Sequence, residues 1–120
     1  MTKPIHGDPV IGVGDTETVA IAYGWTPTSN DDDPLLDSGE LLTGTPTITE
    51  VTTSDLTLGN KVISTAELTI QGKTVAIAEA VQFTVSGQLA ANSPYTINII
   101  ISTDATLART FDRNMTLHVE

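Results

Sequence analysis

Five carboxylates form the densest group of side chains that could support chemistry. They are Asp31, Asp32, Asp33, Asp37 and Glu40. A loop rich in oxygen ligands is what Ca²⁺ prefers, but a typical calcium loop alternates its acidic residues and ends on a distant bidentate glutamate, and this stretch does neither. Glycoside hydrolysis would need two carboxylates fixed on opposite sides of a sugar cleft. We therefore favour a solvated acidic loop, with calcium binding as the minor alternative.

Other catalytic patterns are incomplete. His6 and His118 are the only histidines, and the sequence has no Gly-x-Ser-x-Gly elbow to activate a serine. Residues 12–14, Gly-Val-Gly, are only a fragment of a phosphate-binding loop, without the third glycine or a Lys-Ser/Thr pair. The expectation is a protein that is not an enzyme and that has no cofactor and no metal.

Two aromatic residues suggest an alternative function, the binding of a carbohydrate. Tyr23 and Trp25 could form a platform on which a sugar ring stacks. However, they share one parity with Val19 and Ile21, as side chains on the inner face of a strand do. Burial in the core is the favoured interpretation of both rings, and a carbohydrate-binding platform is the alternative.

Composition limits the class of protein. The chain has 120 residues, 39% of them hydrophobic, which is enough for one modest core. It has no cysteine and a net charge of −10, and residues 1–60 carry ten acids against the single basic residue Lys3. Such a surface repels phosphate backbones, so no nucleic acid is expected as a partner. No apolar run reaches bilayer length and no signal peptide is evident, so we expect a soluble protein without a membrane partner.

The elements that must position these residues are β-strands, because the β-branched residues threonine, valine and isoleucine are abundant and helix formers other than alanine are scarce. Gly59-Asn60 predicts a turn, and residues 71–73 predict a hairpin between two β-rich segments. Residues 35–45 are interpreted as an irregular crossover. The predicted strands cover residues 18–25, 46–53, 56–58, 62–70, 74–78, 81–85, 95–101 and 107–119.

Seven or eight short strands separated by turns are typical of an immunoglobulin-like sandwich. We therefore predict an all-β, immunoglobulin-like β-sandwich of about 7–8 antiparallel strands over residues 15–120, with residues 1–14 as an extended N-terminal arm. Exposed arms and strand edges bind neighbours through backbone hydrogen bonds. The predicted partner-binding residues are Pro4, Ile5, Val10, Ile11, Asp31, Asp32 and Asp33.

The order of the segments also resembles a known family. Residues 36–51 follow a strand that ends in Tyr23-Gly24-Trp25 and precede residues 80–87, and a closing strand follows with Thr103, Arg109 and Val119. Over residues 15–120 the chain resembles the fibre-tail adaptors of tailed bacteriophages. That resemblance implies an immunoglobulin-like fold without catalytic residues and a role in virion assembly.

The resulting functional hypothesis is a bacteriophage virion structural protein, assembled in the host cytoplasm. It would dock on major capsid, neck or tail proteins, as a cement or decoration protein or as a fibre-tail adaptor, and be lattice-bound or homo-oligomeric. A carbohydrate-binding module for adhesion to the host surface is the alternative.

Overall fold

The computed structural model describes residues 10–12, 14–26, 34–37, 39–70, 72–105 and 108–119, with the side chains of residues 10 and 11 excluded. The described residues form nine β-strands and one short 3-10 turn, Ala90–Asn92, without an α-helix. The strands are β1 Val10–Ile11, β2 Glu17–Ala22, β3 Leu42–Glu50, β4 Thr57–Ile63, β5 Leu68–Ile70, β6 Lys73–Val75, β7 Ala80–Ser86, β8 Tyr95–Thr103 and β9 Thr110–Val119.

The strands are arranged in two main sheets. One sheet has the order β1-β9-β8-β3 and the other β2-β7-β4, while β5 and β6 form a separate hairpin. Every pairing is antiparallel except that of β1 with β9. The all-β prediction is confirmed. The structure has one strand more than the predicted seven or eight, because residues 10 and 11, predicted to belong to the arm, form β1.

The core lies between the two sheets. β8 alternates strictly between buried and half-buried residues, as expected of a strand with one face in the core. It lies between β9 and β3 in its sheet. Burying each side chain of this size contributes about 1.5–3 kcal/mol. The sheets contribute Val19, Ile21, Val81, Phe83 and Val85 from one side and Ile48, Ile97, Ile99, Met115 and Leu117 from the other.

One predicted turn was wrong. Gly59 and Asn60 lie inside β4, where pairing with β7 shifts register between Gly59 and Val62. Asn60 has a φ of 50°, a left-handed conformation that asparagine tolerates better than most residues. The same local preference therefore produces an irregularity within a strand instead of a turn. The strand predicted over residues 62–70 is also divided, because β4 ends at Ile63 and β5 begins at Leu68.

The hydroxyl of Tyr95 fastens the start of β8 to two loops. It accepts a hydrogen bond from the Leu89 N–H at 2.9 Å and donates one to Asp55 Oδ2 at 2.9 Å. Asn92 Nδ2 also donates to Asp55 Oδ2, at 2.7 Å. Gly87 permits the close approach, because a Cβ there would lie 2.6 Å from the Asp55 carbonyl oxygen. These contacts hold residues 87–95 against the loop before β4.

The chain between β1 and β2 is fastened by one buried amide. Gln88 is 1% exposed, and its Nε2 donates to the carbonyl oxygens of Gly12 at 2.7 Å and Asp15 at 2.8 Å. Val10 and Ile11 pair in parallel with His118 and Val119. The end of the predicted arm thus adjoins the sheet, whereas residues 1–9 lie outside the described part of the chain.

Candidate functional site

A cavity of about 430 Å³ opens beyond the end of β2. We call it the Trp25 cavity, and its main lining residues are Gly24, Trp25, Pro34, Leu36, Asp37 and Glu79. Trp25 and Leu36 are each 4% exposed and supply apolar wall, while Asp37 and Glu79 supply carboxylates. The volume lies within the range of small-ligand sites, about 300–1,000 Å³.

Backbone hydrogen bonds hold the walls of the Trp25 cavity together. The N–H groups of Tyr23 and Gly24 both donate to the Glu79 carbonyl oxygen, at 2.8 and 3.1 Å. The Leu36 N–H donates to the Tyr23 carbonyl oxygen at 3.0 Å. Gly24 also makes room for the Glu79 side chain, since a Cβ at position 24 would lie 2.9 Å from Glu79 Cδ and Oε2. The cavity is therefore built by three segments that hydrogen-bond to one another.

Arg109 fixes the loop that carries Asp37. Its Nε donates to Glu40 Oε2 at 3.0 Å, its Nη2 bonds Glu40 Oε1, and the same Nη2 donates to the Leu35 carbonyl oxygen at 2.8 Å. The Glu40 side chain is only 3% exposed and that of Arg109 is 41% exposed. Asp37 Oδ2 lies 3.8 Å from Arg109 Nη2. A bidentate ion pair of this kind fixes geometry as well as charge.

The electrostatics of this pair favour the charged forms. The hydrogen bond from Arg109, opposed in part by burial, lowers the pKa of Glu40 to about 2, and the Asp37 N–H and Thr103 add hydrogen bonds that lower it further. The same pair raises the pKa of Arg109. The guanidinium also lies over the Phe111 ring, 5.0 Å from its centroid. Glu40 therefore acts as an anchor and is not poised to exchange protons near neutral pH.

A second carboxylate is held in a different way, in the turn after β3. Glu50 Oε2 accepts from the Thr52 N–H at 3.0 Å and from the Thr53 N–H, and Glu50 Oε1 accepts from the Thr53 hydroxyl at 2.7 Å. Burial raises the pKa of Glu50, but these hydrogen bonds outweigh it and bring the value to about 2. Glu50 thus stabilises its own turn.

Two of the predicted partner-binding residues, Val10 and Ile11, lie in the described part of the chain. Val10 and Ile11 form β1 and pair with β9 of the same chain. Pro4, Ile5, Asp31, Asp32 and Asp33 lie outside the described residues. In the sequence, Asp33 directly precedes Pro34, which lines the Trp25 cavity.

The acidic group proposed as a calcium alternative does not form one cluster as far as it is described. Asp37 is exposed, with 84% of its side chain accessible, whereas Glu40 is turned inward to Arg109. Within the described ranges, no three histidine, aspartate or glutamate side chains are placed to share a metal ion.

The aromatic residues are core residues. Tyr23 is fully buried and its ring stacks on Phe111 at a centroid distance of 5.6 Å, while Trp25 packs with Ala22, Val75 and Ala80. Phe83, Phe111 and Tyr95 are also buried, so none of the chain's aromatic rings forms an exposed platform. Burial raises the pKa of Tyr23, whose hydroxyl has no hydrogen-bond partner among the described residues.

Sequence reasoning missed the roles of Arg109, Glu50 and Glu79. Arg109 was noted only as a residue of the closing strand, although it is one of five basic residues in a strongly acidic chain. Because basic residues are scarce in such a chain, an arginine next to a strand is a candidate partner for a buried acid. The spacing of Glu50 before Thr52 and Thr53 could also have indicated a turn stabilised by side-chain hydrogen bonds.

In the part of the chain that the structure describes, no helix has the length and apolarity to cross a membrane. Comparison of the chain with protein-family models, with curated proteins and with solved structures finds no match.

Proposed function

We propose that this chain is a non-enzymatic structural protein of a bacteriophage virion, which docks on capsid, neck or tail proteins. In this role it is a cement or decoration protein or a fibre-tail adaptor. The proposal starts from the resemblance of residues 15–120 to fibre-tail adaptors. It gains physical support from the strand order and from the edges of the sheets.

The strand order supports an immunoglobulin-like assignment. Immunoglobulin sandwiches place their second, fifth and fourth strands in one sheet and their third, sixth and seventh in the other. With the β5–β6 hairpin set aside as an insertion, the sheets β2-β7-β4 and β9-β8-β3 have this arrangement. The first strand, β1, departs from it, because β1 pairs with β9 and not with β2. Tyr95, bonded through its hydroxyl to Leu89 six residues upstream, is similar to the tyrosine corner of such domains.

The observation that carries the docking proposal is the outer edge of β9. Residues 110–117 pair with β8 on one side, and on the other side only His118 and Val119 are paired among the described residues, with β1. The edges of β3 and β4 are interrupted by register shifts, and Pro46 and Lys61 lie within those strands. Regular edges without such protection accept strands from other chains.

β1 is an example of strand addition on that edge. Two residues of the N-terminal segment are already held there by parallel backbone pairing. A virion lattice presents many equivalent copies of a partner, so weak edge contacts of this kind gain strength by multivalency. An extended strand of a neighbouring virion protein is therefore the expected occupant of the β9 edge.

The test is the copy number of the chain in purified particles of the phage that encodes it, measured by quantitative mass spectrometry against the major capsid protein. A ratio near one to one identifies a decoration or cement protein, and a ratio of a few per hundred identifies a neck or tail adaptor. Absence from purified particles would overturn the proposal. The carbohydrate-binding alternative needs exposed aromatic rings, and the burial of all of them gives it no support.

A further inference from the structure

We propose that the Trp25 cavity binds a basic side chain, arginine or lysine, of the protein on which this chain docks. The inference rests on the proposed docking function and assigns it a second contact, separate from the β9 edge. Its basis is the combination of an apolar wall and two carboxylates in one concave site of about 430 Å³.

The charge of the site selects a cation. Asp37 and Glu79 line the cavity, and no lysine or arginine is found among the described residues that line it. The guanidinium of Arg109 forms two hydrogen bonds with Glu40, and its Nη2 lies 3.8 Å from Asp37 Oδ2, so it neutralises Asp37 only in part. An incoming cation therefore meets two carboxylates, in a chain whose net charge is −10.

The apolar wall selects a cation on a long stem. Trp25 and Leu36 form the apolar part of the cavity, and arginine and lysine bury their methylene stems on such surfaces while the charged head reaches a polar partner. A free metal ion would gain nothing from the apolar wall, which offers it no ligand atoms.

Glu79 is held in place by the fold. The Glu79 carbonyl oxygen accepts the N–H groups of Tyr23 and Gly24, which fixes its backbone beside the end of β2. Its side chain lies over Gly24, where an added Cβ would come within 2.9 Å of it. Two substitutions therefore test this carboxylate: Glu79→Gln removes its charge, and Gly24→Ala displaces it.

The experiment is an NMR titration of the full chain, observed at the indole N–H of Trp25, which is the only tryptophan. The probe is N-acetyl-arginine amide, and the matched control is N-acetyl-citrulline amide, which has a similar shape but no charge. We expect saturable shifts in the millimolar range for the arginine compound, weakened by added salt, and no saturation for the citrulline compound.

The variants assign the binding to the cavity. Glu79→Gln and Gly24→Ala should each weaken the arginine compound by about threefold or more. Asp112→Asn is the control, because Asp112 lies on β9 in contact with Asn98 and does not line the cavity. Unchanged spectra on titration, equal shifts with both compounds, or full binding by Glu79→Gln would each overturn the inference.

The outcomes separate this inference from the virion proposal. If the chain is found in particles and the titration fails, the cavity inference falls and the virion proposal stands. If the titration succeeds and the chain is absent from particles, the cavity binds a basic group but the partner is not a virion protein.

Discussion

Two carboxylates with the same depressed pKa are held in opposite ways. Glu40 is bound by Arg109, which is 69 residues away in the sequence, whereas Glu50 is bound by Thr52, Thr53 and Leu56, all within six residues. The first contact joins a loop to the closing hairpin, and the second closes a turn on itself. Similar electrostatic stabilisation can therefore serve long-range assembly in one region and purely local structure in another.

The largest effect is expected from Arg109→Ala. The variant leaves the buried Glu40 carboxylate without its partner and should lower the free energy of unfolding by about 3 kcal/mol, as measured by urea denaturation. Arg109→Lys keeps the charge but not the bidentate geometry, so it should recover only part of this loss. A loss below about 1 kcal/mol for Arg109→Ala would show that the ion pair is not the main support of residues 34–40.

Tyr95→Phe should have the next largest effect. It keeps the buried ring but removes the hydroxyl that bonds Leu89 and Asp55, so the free energy of unfolding should fall by about 2 kcal/mol. Thermal unfolding followed by circular dichroism measures the change. A variant as stable as the parent chain would mean that water replaces the hydroxyl at both partners.

Glu50→Gln tests the turn after β3, which is stabilised by residues close together in the sequence. One amide oxygen can still accept hydrogen bonds from Thr52 and Thr53, so the expected loss is about 1 kcal/mol in urea denaturation. Glu17→Gln, an exposed carboxyl in β2, is the matched control and should change stability by less than about 0.5 kcal/mol. A loss for Glu50→Gln as large as that for Arg109→Ala would contradict the distinction between the two regions.

An effect of similar size is expected in the acid sensitivity of the chain. The folded pKa values of Glu40 and Glu50 are about 2 against a usual 4.5, so the unfolded chain binds more protons in this interval. Their stabilisation is complete above about pH 4.5 and is lost as the pH falls toward 2. Glu50→Gln should lose less stability than the parent chain between neutral pH and about pH 3, by roughly 1 kcal/mol, measured by urea denaturation at both values. Equal losses in the two proteins would show that Glu50 carries no depressed pKa.

Much of the fold could be predicted because strand patterns are local. The alternation of Val19 and Ile21, and of Tyr95, Ile97 and Ile99, gave the inner faces of β2 and β8 correctly. The turn predicted at Gly59-Asn60 was wrong because turns and irregularities within strands favour the same residue types. Only the pairing of β4 with β7 distinguishes the two structures.

The candidate site was harder to predict because its parts come from distant segments. The acidic stretch drew attention to Asp37 and Glu40, but their different roles depend on Arg109, whose position is set by the β8–β9 hairpin. Trp25 shared the parity of β2 and was correctly predicted to be buried. The strand ends at Ala22, however, so the indole packs in a second cluster and lines a cavity that no periodicity could reveal.

The separation of Glu40 from Arg109 also has a consequence for the order of folding during synthesis. The turn around Glu50 has all its hydrogen-bonding groups by residue 56, so it can close before Arg109 has been made. Glu40, in contrast, has no partner for its side chain until Arg109, 69 residues later, has been made. Contacts of such sequence separation are slow to form because the intervening chain must first be closed. A ribosome-bound chain that stops short of Arg109 therefore lacks the ion pair with Glu40 that fixes the loop beside the Trp25 cavity.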